Sequence, residues 1–179
     1  YNLKTISIGH DPSTITNDVP SNPKERYKIM TSEMPKNGSL SLNMMYQTAG
    51  TQINLDYVSE NDFKKKFKLI SYLTPLSVAL FANSPIAEGK KTGFLSYRSK
   101  VWQNTSRGGL PKIFLEDMDF EKYSDFALNY PLLFIYRDNK YLEANGKSFK
   151  DVLSKLDMKD FELHLSTIFT ELRLKKYIE

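Results

Sequence analysis

The sequence predicts one mixed α and β domain, on three observations. Its 179 residues are 40% hydrophobic, enough to bury a real core. Phe63, Phe67, Ile70 and Leu73 recur at helical spacing. The stretch Thr51 to Asp56 alternates instead, with Ile53 and Leu55 against Gln52, Asn54 and Asp56, as a strand does.

That alternating stretch closes the segment Met34 to Tyr57, which sets polar groups into an expected buried strand. A row of amide and carboxylate groups on one face fits either an antiparallel strand whose polar face meets water or the floor of an active site. Before it, Lys4 to Gly9 sets Ile6 and Ile8 against Ser7 and reads as a short strand, and residues 9–22 have the Pro, Asp, Ser and Asn density of a loop. Asn22 and Pro23 open a helix to about Glu33 as cap and first turn. Arg26 on that helix is either a solvated arginine or an anion clamp.

Ser59 followed by Asp62 is a helix start, a hydroxyl cap with a carboxylate at the positive end of the dipole. The Phe63 to Leu73 stripe then faces a core, with the lysines between as its wet face. Pro75 is expected to break or kink the run before Leu76 to Phe81 continues it. Ala82 to Pro85 ends the helix, and residues 86–93 form a Gly and Lys surface loop. Arg98 and Trp102 stand four apart, so in a helical turn guanidinium and indole share one side and can hold a carboxylate away from water. Trp102 serves equally well as an ordinary aromatic anchor.

Arg107, Gly108 and Gly109 make a basic turn too short to be a phosphate loop. Phe120 to Asn129 reads as a helix, Leu132 to Tyr136 as a buried strand, and residues 137–140 as a hairpin turn into Tyr141 to Glu143. Ser148 caps a helix carrying Phe149, Val152 and Leu153, Asp160 to Leu165 is helical, and Thr170 to Glu179 alternates as a final strand.

Several classes are excluded or disfavoured. No apolar run is long enough to span a bilayer, and the first residues do not read as a signal peptide. The net charge of +4 is spread over separate short runs, without the contiguous basic footprint that nucleic acid needs, and suits anionic small molecules. With no cysteine there is no disulfide framework and no thiolate metal site, which fits a cytoplasmic location. His10 and His164 stand too far apart in the chain to form a local metal motif. The sequence sets no oligomeric state.

Five segments in one order, ERYKIM, MPKNGSLSLNMM, QINLD, ALFANSPIAEGKKTGFLSYRSKVW and HLSTIFTELRLKKYIE, resemble the glutamate-cysteine ligases of plants and many proteobacteria. The resemblance implies an α+β fold, part of a glutamine-synthetase-like catalytic fold in which helices pack over an antiparallel sheet cradle. It implies ATP-dependent joining of the γ-carboxylate of L-glutamate to L-cysteine with magnesium, the first step of glutathione biosynthesis. Arg26 and Arg98 then match arginines that hold substrate carboxylates, and Trp102 a wall of the same pocket. Met44, Met45, Tyr57 and Leu133 fall at substrate-lining positions, with Leu133 where plant relatives carry a tyrosine, so one hydrogen bond to cysteine is lost. Gln52 and Glu179 stand at metal-facing places, and Arg107 and Arg173 at candidate phosphate contacts. Ala144 replaces one cysteine of the plant redox pair.

The family's carboxylate-rich metal motifs are absent from the 179 residues, so the resemblance implies an internal fragment of a single catalytic domain, inactive by itself. Exposed strand edges in such a fragment would favour self-association. Two alternatives remain open: a carboxylate-amine ligase of the same superfamily that accepts another amine, and a non-catalytic amino-acid-binding module.

Overall fold

A computed structural model describes residues 4–144 and 146–179. The helices are α1 (Glu25–Glu33), α2 (Ser41–Gln47), α3 (Glu60–Leu80), α4 (Tyr97–Gln103), α5 (Phe120–Asn129) and α6 (Met158–Leu165). The strands are β1 (Ile86–Ala87), β2 (Lys90–Lys91), β3 (Gly108–Gly109), β4 (Phe134–Arg137), β5 (Lys140–Glu143) and β6 (Phe169–Thr170). They form two-stranded sheets only: β1 with β2 and β4 with β5 antiparallel, and β3 with β6 parallel. The class is α+β. The described residues do not by themselves close the broad antiparallel cradle.

The helix starts follow their caps. Ser59 accepts from the Asp62 amide, Asp119 from Lys122, and Asp157 and Asp160 form a reciprocal capping box. Asn22 acts earlier than expected, accepting from the Lys24 amide, and α1 begins at Glu25. The turn between β4 and β5 places Asp138 and Asn139 at φ 49 and 60, the left-handed pair that a tight hairpin needs and that these residue types tolerate. Ser148 accepts from the Asp151 amide, but the turns that follow are 3-10 (Lys150–Lys155).

Two apolar clusters make the core. One gathers Ile29, Met30, Met34, Met44, Val101, Leu133 and Phe134, with Met45 and Trp102 at its margin. The other joins Phe63, Phe67, Phe114, Met118, Tyr123, Leu172 and Ile178, with Tyr57 packed against it. Phe63 and Phe67 are fully buried, each contributing roughly 2–3 kcal/mol over an exposed ring.

Four expected strands change. Lys4 to Gly9 forms no strand, because only His10 finds a bridge partner, at Thr48. The segment from Met34 is helical, with a 3-10 turn at Met34–Lys36 and then α2, whose Leu, Met and Gln residues favour helix. Thr51 to Asp56 is exposed and contributes one bridge, Leu55 to Ile178. Beyond β6 the chain turns back on itself, Leu174 bridging Ile178, so no final strand runs to Glu179. Apart from the helical segment, a second strand that would complete the ladder is missing in each case among the described residues.

Helix α3 runs unbroken through Pro75. Pro75 is exposed, and the hydroxyls of Ser71 and Thr74 donate to the carbonyls of Phe67 and Ile70, so one lost amide bond does not end the helix. Of the predicted stripe Phe63 and Phe67 are buried, Ile70 is partly buried and Leu73 is exposed, as are Leu69, Leu76 and Leu80 in the same half of the helix. The expected loop at residues 86–93 folds into the β1–β2 hairpin.

Candidate functional site

Arg98 is the centre of the best-built constellation. Ser96 caps α4 by accepting from the Ser99 amide, and the Ser84 hydroxyl accepts from the Arg98 amide, which fixes the first turn. One turn on, the Trp102 ring lies 5.0 Å from the Arg98 guanidinium carbon, the shared face expected from their spacing. Arg98 Nε donates to the Ala49 carbonyl at 2.8 Å, and the terminal nitrogens make no hydrogen bond to the described residues. Two glycines leave room for this side chain. A Cβ at Gly50 would sit 2.6 Å from Arg98 Nη2, and one at Gly9 would sit 3.1 Å from Arg98 Cδ.

Glu171 acts on this guanidinium through its charge. It follows β6, and its amide donates to the Gly109 carbonyl at 2.9 Å. Burial pushes its carboxyl above the ordinary carboxylate value, with the Arg98 charge opposing, while burial holds Arg98 below the usual arginine value and Glu171 opposes. Sequence reasoning missed Glu171; the signal available was a carboxylate on the polar side of a basic run.

The remaining expected residues fall into two groups. Arg26, Met44, Met45, Trp102 and Leu133 converge on the first cluster, Arg26 lying 5.8 Å from the Phe134 ring centre. Arg26 Nε and Trp102 Nε1 are buried donors without an acceptor. Met44 and Met45 reach the site from α2 rather than beside a strand, and Leu133 is a packed core residue. Gln52, Tyr57, Arg173 and Glu179 lie together on the second cluster's side. With its amide turned as its neighbours require, Gln52 donates to Glu179 Oε1 at 3.2 Å and accepts from Arg173. Arg173 Nη2 is 2.7 Å from Glu179 Oε2, Lys175 pairs with the same oxygen, and Tyr57 donates to the Lys175 carbonyl at 2.6 Å.

Among the described residues that second group is a charge network. Magnesium prefers six oxygens in octahedral array. Here one carboxylate, already paired with two cations, stands beside one amide, and the described residues hold no group of three or more acidic, histidine or cysteine side chains. The metal-facing expectation for Gln52 and Glu179 does not fit these residues alone.

Arg107 is likewise not at a surface a phosphate could reach. It is 4% exposed, and its nitrogens donate to the Thr167 carbonyl at 2.6 Å, the Pro131 carbonyl at 2.7 Å and the Thr167 hydroxyl at 2.8 Å. Tyr130 covers it, and burial lowers its pKa to about 10. The residue is an internal strut.

Two clefts lie elsewhere. One of 870 Å³ opens between the β4–β5 hairpin and the start of α6, where Arg137 pairs with Asp160. The other, of 540 Å³, opens beside Asn43, Lys90 and Tyr97. Neither contains Arg98. Among the described residues no helix is long and apolar enough to cross a membrane.

The profile of glutamate-cysteine ligase family 2 matches residues 2–179. The chain is 45% identical over 186 aligned residues to glutamate-cysteine ligase A, chloroplastic, of Oryza sativa subsp. japonica, covering 97% of this chain and 38% of that protein. The chloroplastic glutamate-cysteine ligases of Medicago truncatula and Arabidopsis thaliana are equally 45% identical over 97% of this chain, which covers 37% and 36% of them. The chain thus spans little more than a third of the length of these relatives. Their names overturn the cytoplasmic expectation, since each is chloroplastic; the lack of cysteine does not fix a compartment. On the profile match across nearly its whole length, this chain belongs to glutamate-cysteine ligase family 2.

Proposed function

We propose that this chain supplies the amino-acid-binding arm of a longer ATP-dependent ligase, a single catalytic domain that joins the γ-carboxylate of L-glutamate to the amine of L-cysteine. The carrying observation is the set of uncommitted donors around one apolar cluster: the Arg98 terminal nitrogens, Arg26 Nε and Trp102 Nε1. Buried donors without acceptors cost stability unless a ligand completes them, and a carboxylate is the acceptor that arginine forks match best.

The chemistry needs such a grip. A carboxylate repels nucleophiles, so the γ-phosphoryl group of ATP is first transferred to a γ-carboxylate oxygen as ADP leaves. The cysteine amine then attacks the acyl carbon, phosphate departs, and the nitrogen gives up its proton to solvent. Holding the substrate still through both steps converts encounters into oriented collisions. In this chain Arg98 and Arg26 orient carboxylate groups, and Trp102 shields them from water. Arg173, on the polar side of the second cluster, is the candidate for phosphate contact. Tyr57, Met44 and Met45 shape the walls. Magnesium would offset charge on the nucleotide, and the described residues hold no group of three or more metal-ligating side chains to bind it by themselves. With Leu133 buried in the core and lacking a hydroxyl, cysteine is selected by other groups.

Calorimetric titration tests this reading. L-Glutamate is expected to bind the chain and to lose binding in Arg98→Ala, with Mg-ATP giving no heat; tight Mg-ATP binding or indifference to Arg98→Ala would refute it.

A further inference from the structure

His10 is a polar side chain sealed in the interior, and nothing described so far uses it. It is 2% exposed. Its Nδ1 donates to the carbonyl of the next residue, Asp11, at 2.7 Å, while Nε2 is buried without a partner among the described residues. A buried nitrogen left unpaired costs stability, so the polarity of the ring is not what recommends it here. What the ring touches is Tyr97, edge-on, with centroids 5.0 Å apart and planes at 77°.

The backbone of His10 belongs to a short ladder with the segment that follows α2. His10 bridges Thr48, the Asp11 amide donates to the Gln47 carbonyl at 2.8 Å, and the Ala49 amide donates to the Gly9 carbonyl at 3.1 Å. Gln47 Nε2 returns to the Thr14 carbonyl at 2.6 Å, which ties the turn after His10 to the end of α2. Both rungs beside His10 reach Arg98. A Cβ at Gly9 would lie 3.1 Å from Arg98 Cδ, and the Ala49 carbonyl accepts from Arg98 Nε at 2.8 Å. Tyr97, which the His10 ring meets, directly precedes Arg98 in α4. His10 therefore joins the ladder to the helix twice, through its chain neighbours to the stem of Arg98 and through its ring to the residue before it.

We propose that His10 is a positioning residue for Arg98: its ring, set edge-on against Tyr97, fixes the spacing between the ladder and α4 and so the place of the guanidinium. His10 touches no substrate. Without the ring a cavity opens between ladder and helix, and the partial collapse that follows a large-to-small change in a core shifts Gly9 and Ala49 against the Arg98 stem. What Arg98 grips rests on the carboxylate reading above, whereas where Arg98 lies does not.

Trp102, the single tryptophan of the chain, reports that place directly, because its ring lies 5.0 Å from the Arg98 guanidinium carbon and a cation over an indole face alters the emission. The test is the emission spectrum of wild type, Arg98→Ala, His10→Ala and His10→Phe, with thermal melts to confirm folding and titration with L-glutamate. Arg98→Ala marks the spectrum with the cation gone. His10→Ala is expected to move more than halfway toward it and to weaken L-glutamate about tenfold, while His10→Phe, which keeps a ring on Tyr97, keeps the wild-type spectrum and affinity. A folded His10→Ala with the wild-type spectrum overturns this role, since a merely structural residue would lower the melting temperature alone. A His10→Phe spectrum displaced as far as that of His10→Ala overturns it too, as does an Arg98→Ala spectrum identical to wild type, which would take the guanidinium off the indole. Should His10→Ala fail to fold, Tyr97→Leu removes the other side of the contact and is expected to show the same displacement; a wild-type spectrum there overturns the role. Spectra as expected in a wild type that binds no L-glutamate would support the positioning of Arg98 by His10 and refute only the carboxylate reading.

Discussion

The Arg98 guanidinium occupies the space that a side chain at Gly50 would need: a Cβ there would lie 2.6 Å from Nη2. The backbone at Gly50 is close because Ala49, its neighbour, accepts the Arg98 Nε hydrogen bond. Gly50→Ala therefore displaces the head of a flexible side chain rather than backbone. Its expected effect is about tenfold weaker L-glutamate binding, about 1.4 kcal/mol, with the melting temperature almost unchanged. Calorimetry beside a thermal melt checks this, and a large loss of stability with unchanged affinity would contradict it.

His164 sets an acid limit. It is buried with Nε2 donating to the Ala127 carbonyl at 2.8 Å, and burial lowers its pKa from 6.5 to about 4, helped by the nearby Arg107 charge. The unfolded chain therefore binds the proton more readily between those values. Stability is retained above about 6.5 and falls as pH drops toward 4, by on the order of 3 kcal/mol for this group. Glu171, raised by burial, acts with the opposite sign, so the measurement is the difference between wild type and His164→Gln in urea melts across pH. The variant's curve should be flatter.

Glu179 holds two cations, and Gln52 braces the group. Removing its charge in Glu179→Gln leaves Arg173 and Lys175 facing each other unpaired. A loss of about 1–3 kcal/mol is expected, measured by denaturant unfolding. Magnesium alone should not shift the melting temperature of either form.

The 179-residue chain should release no phosphate from ATP when given glutamate, cysteine and magnesium. The described residues offer no group of three or more metal-ligating side chains, and phosphoryl transfer depends on charge neutralisation. Turnover above the rate without protein would refute this.

Leu69, Leu73, Leu76 and Leu80 form an exposed stripe on α3, in a stretch from Leu69 to Phe81 without a charged residue. The short strands make edge pairing a lesser hazard than was expected from sequence, and this helix face the greater one. Sedimentation should show concentration-dependent association of wild type that is reduced in the double variant Leu76→Glu, Leu80→Lys, whose new charges are spaced to pair within the helix.

What was legible in the sequence was local. Ser59 with Asp62 announced α3, the limits of α5 were read from residues 120–129, and Arg137 to Lys140 read as a tight turn, because each rests on neighbours in the chain. The spacing of Arg98 and Trp102 likewise gave their shared face. Strands at Lys4 to Gly9, Thr51 to Asp56 and Thr170 to Glu179 were misread, since alternation shows only that a segment could pair and not that a partner exists. The action of the Arg98 charge on Glu171, and Gln52 beside Arg173 and Glu179, join distant segments that no spacing rule contains. Arg107 was misjudged for the same reason: its carbonyl partners at Pro131 and Thr167 are invisible until the chain has folded.

The Arg107 strut also bears on how fast the molecule can form. Its guanidinium ties residues 131 and 167 to the turn at 107, while Tyr57 reaches Lys175 and Leu55 bridges Ile178. Long loops must close, with their entropy lost, before any of these contacts stabilises the chain. Folding should therefore be slow for a chain so rich in helix. The grip on the Arg98 side chain has the same character, since Ala49 must meet a residue 49 positions further along the chain before the guanidinium is held.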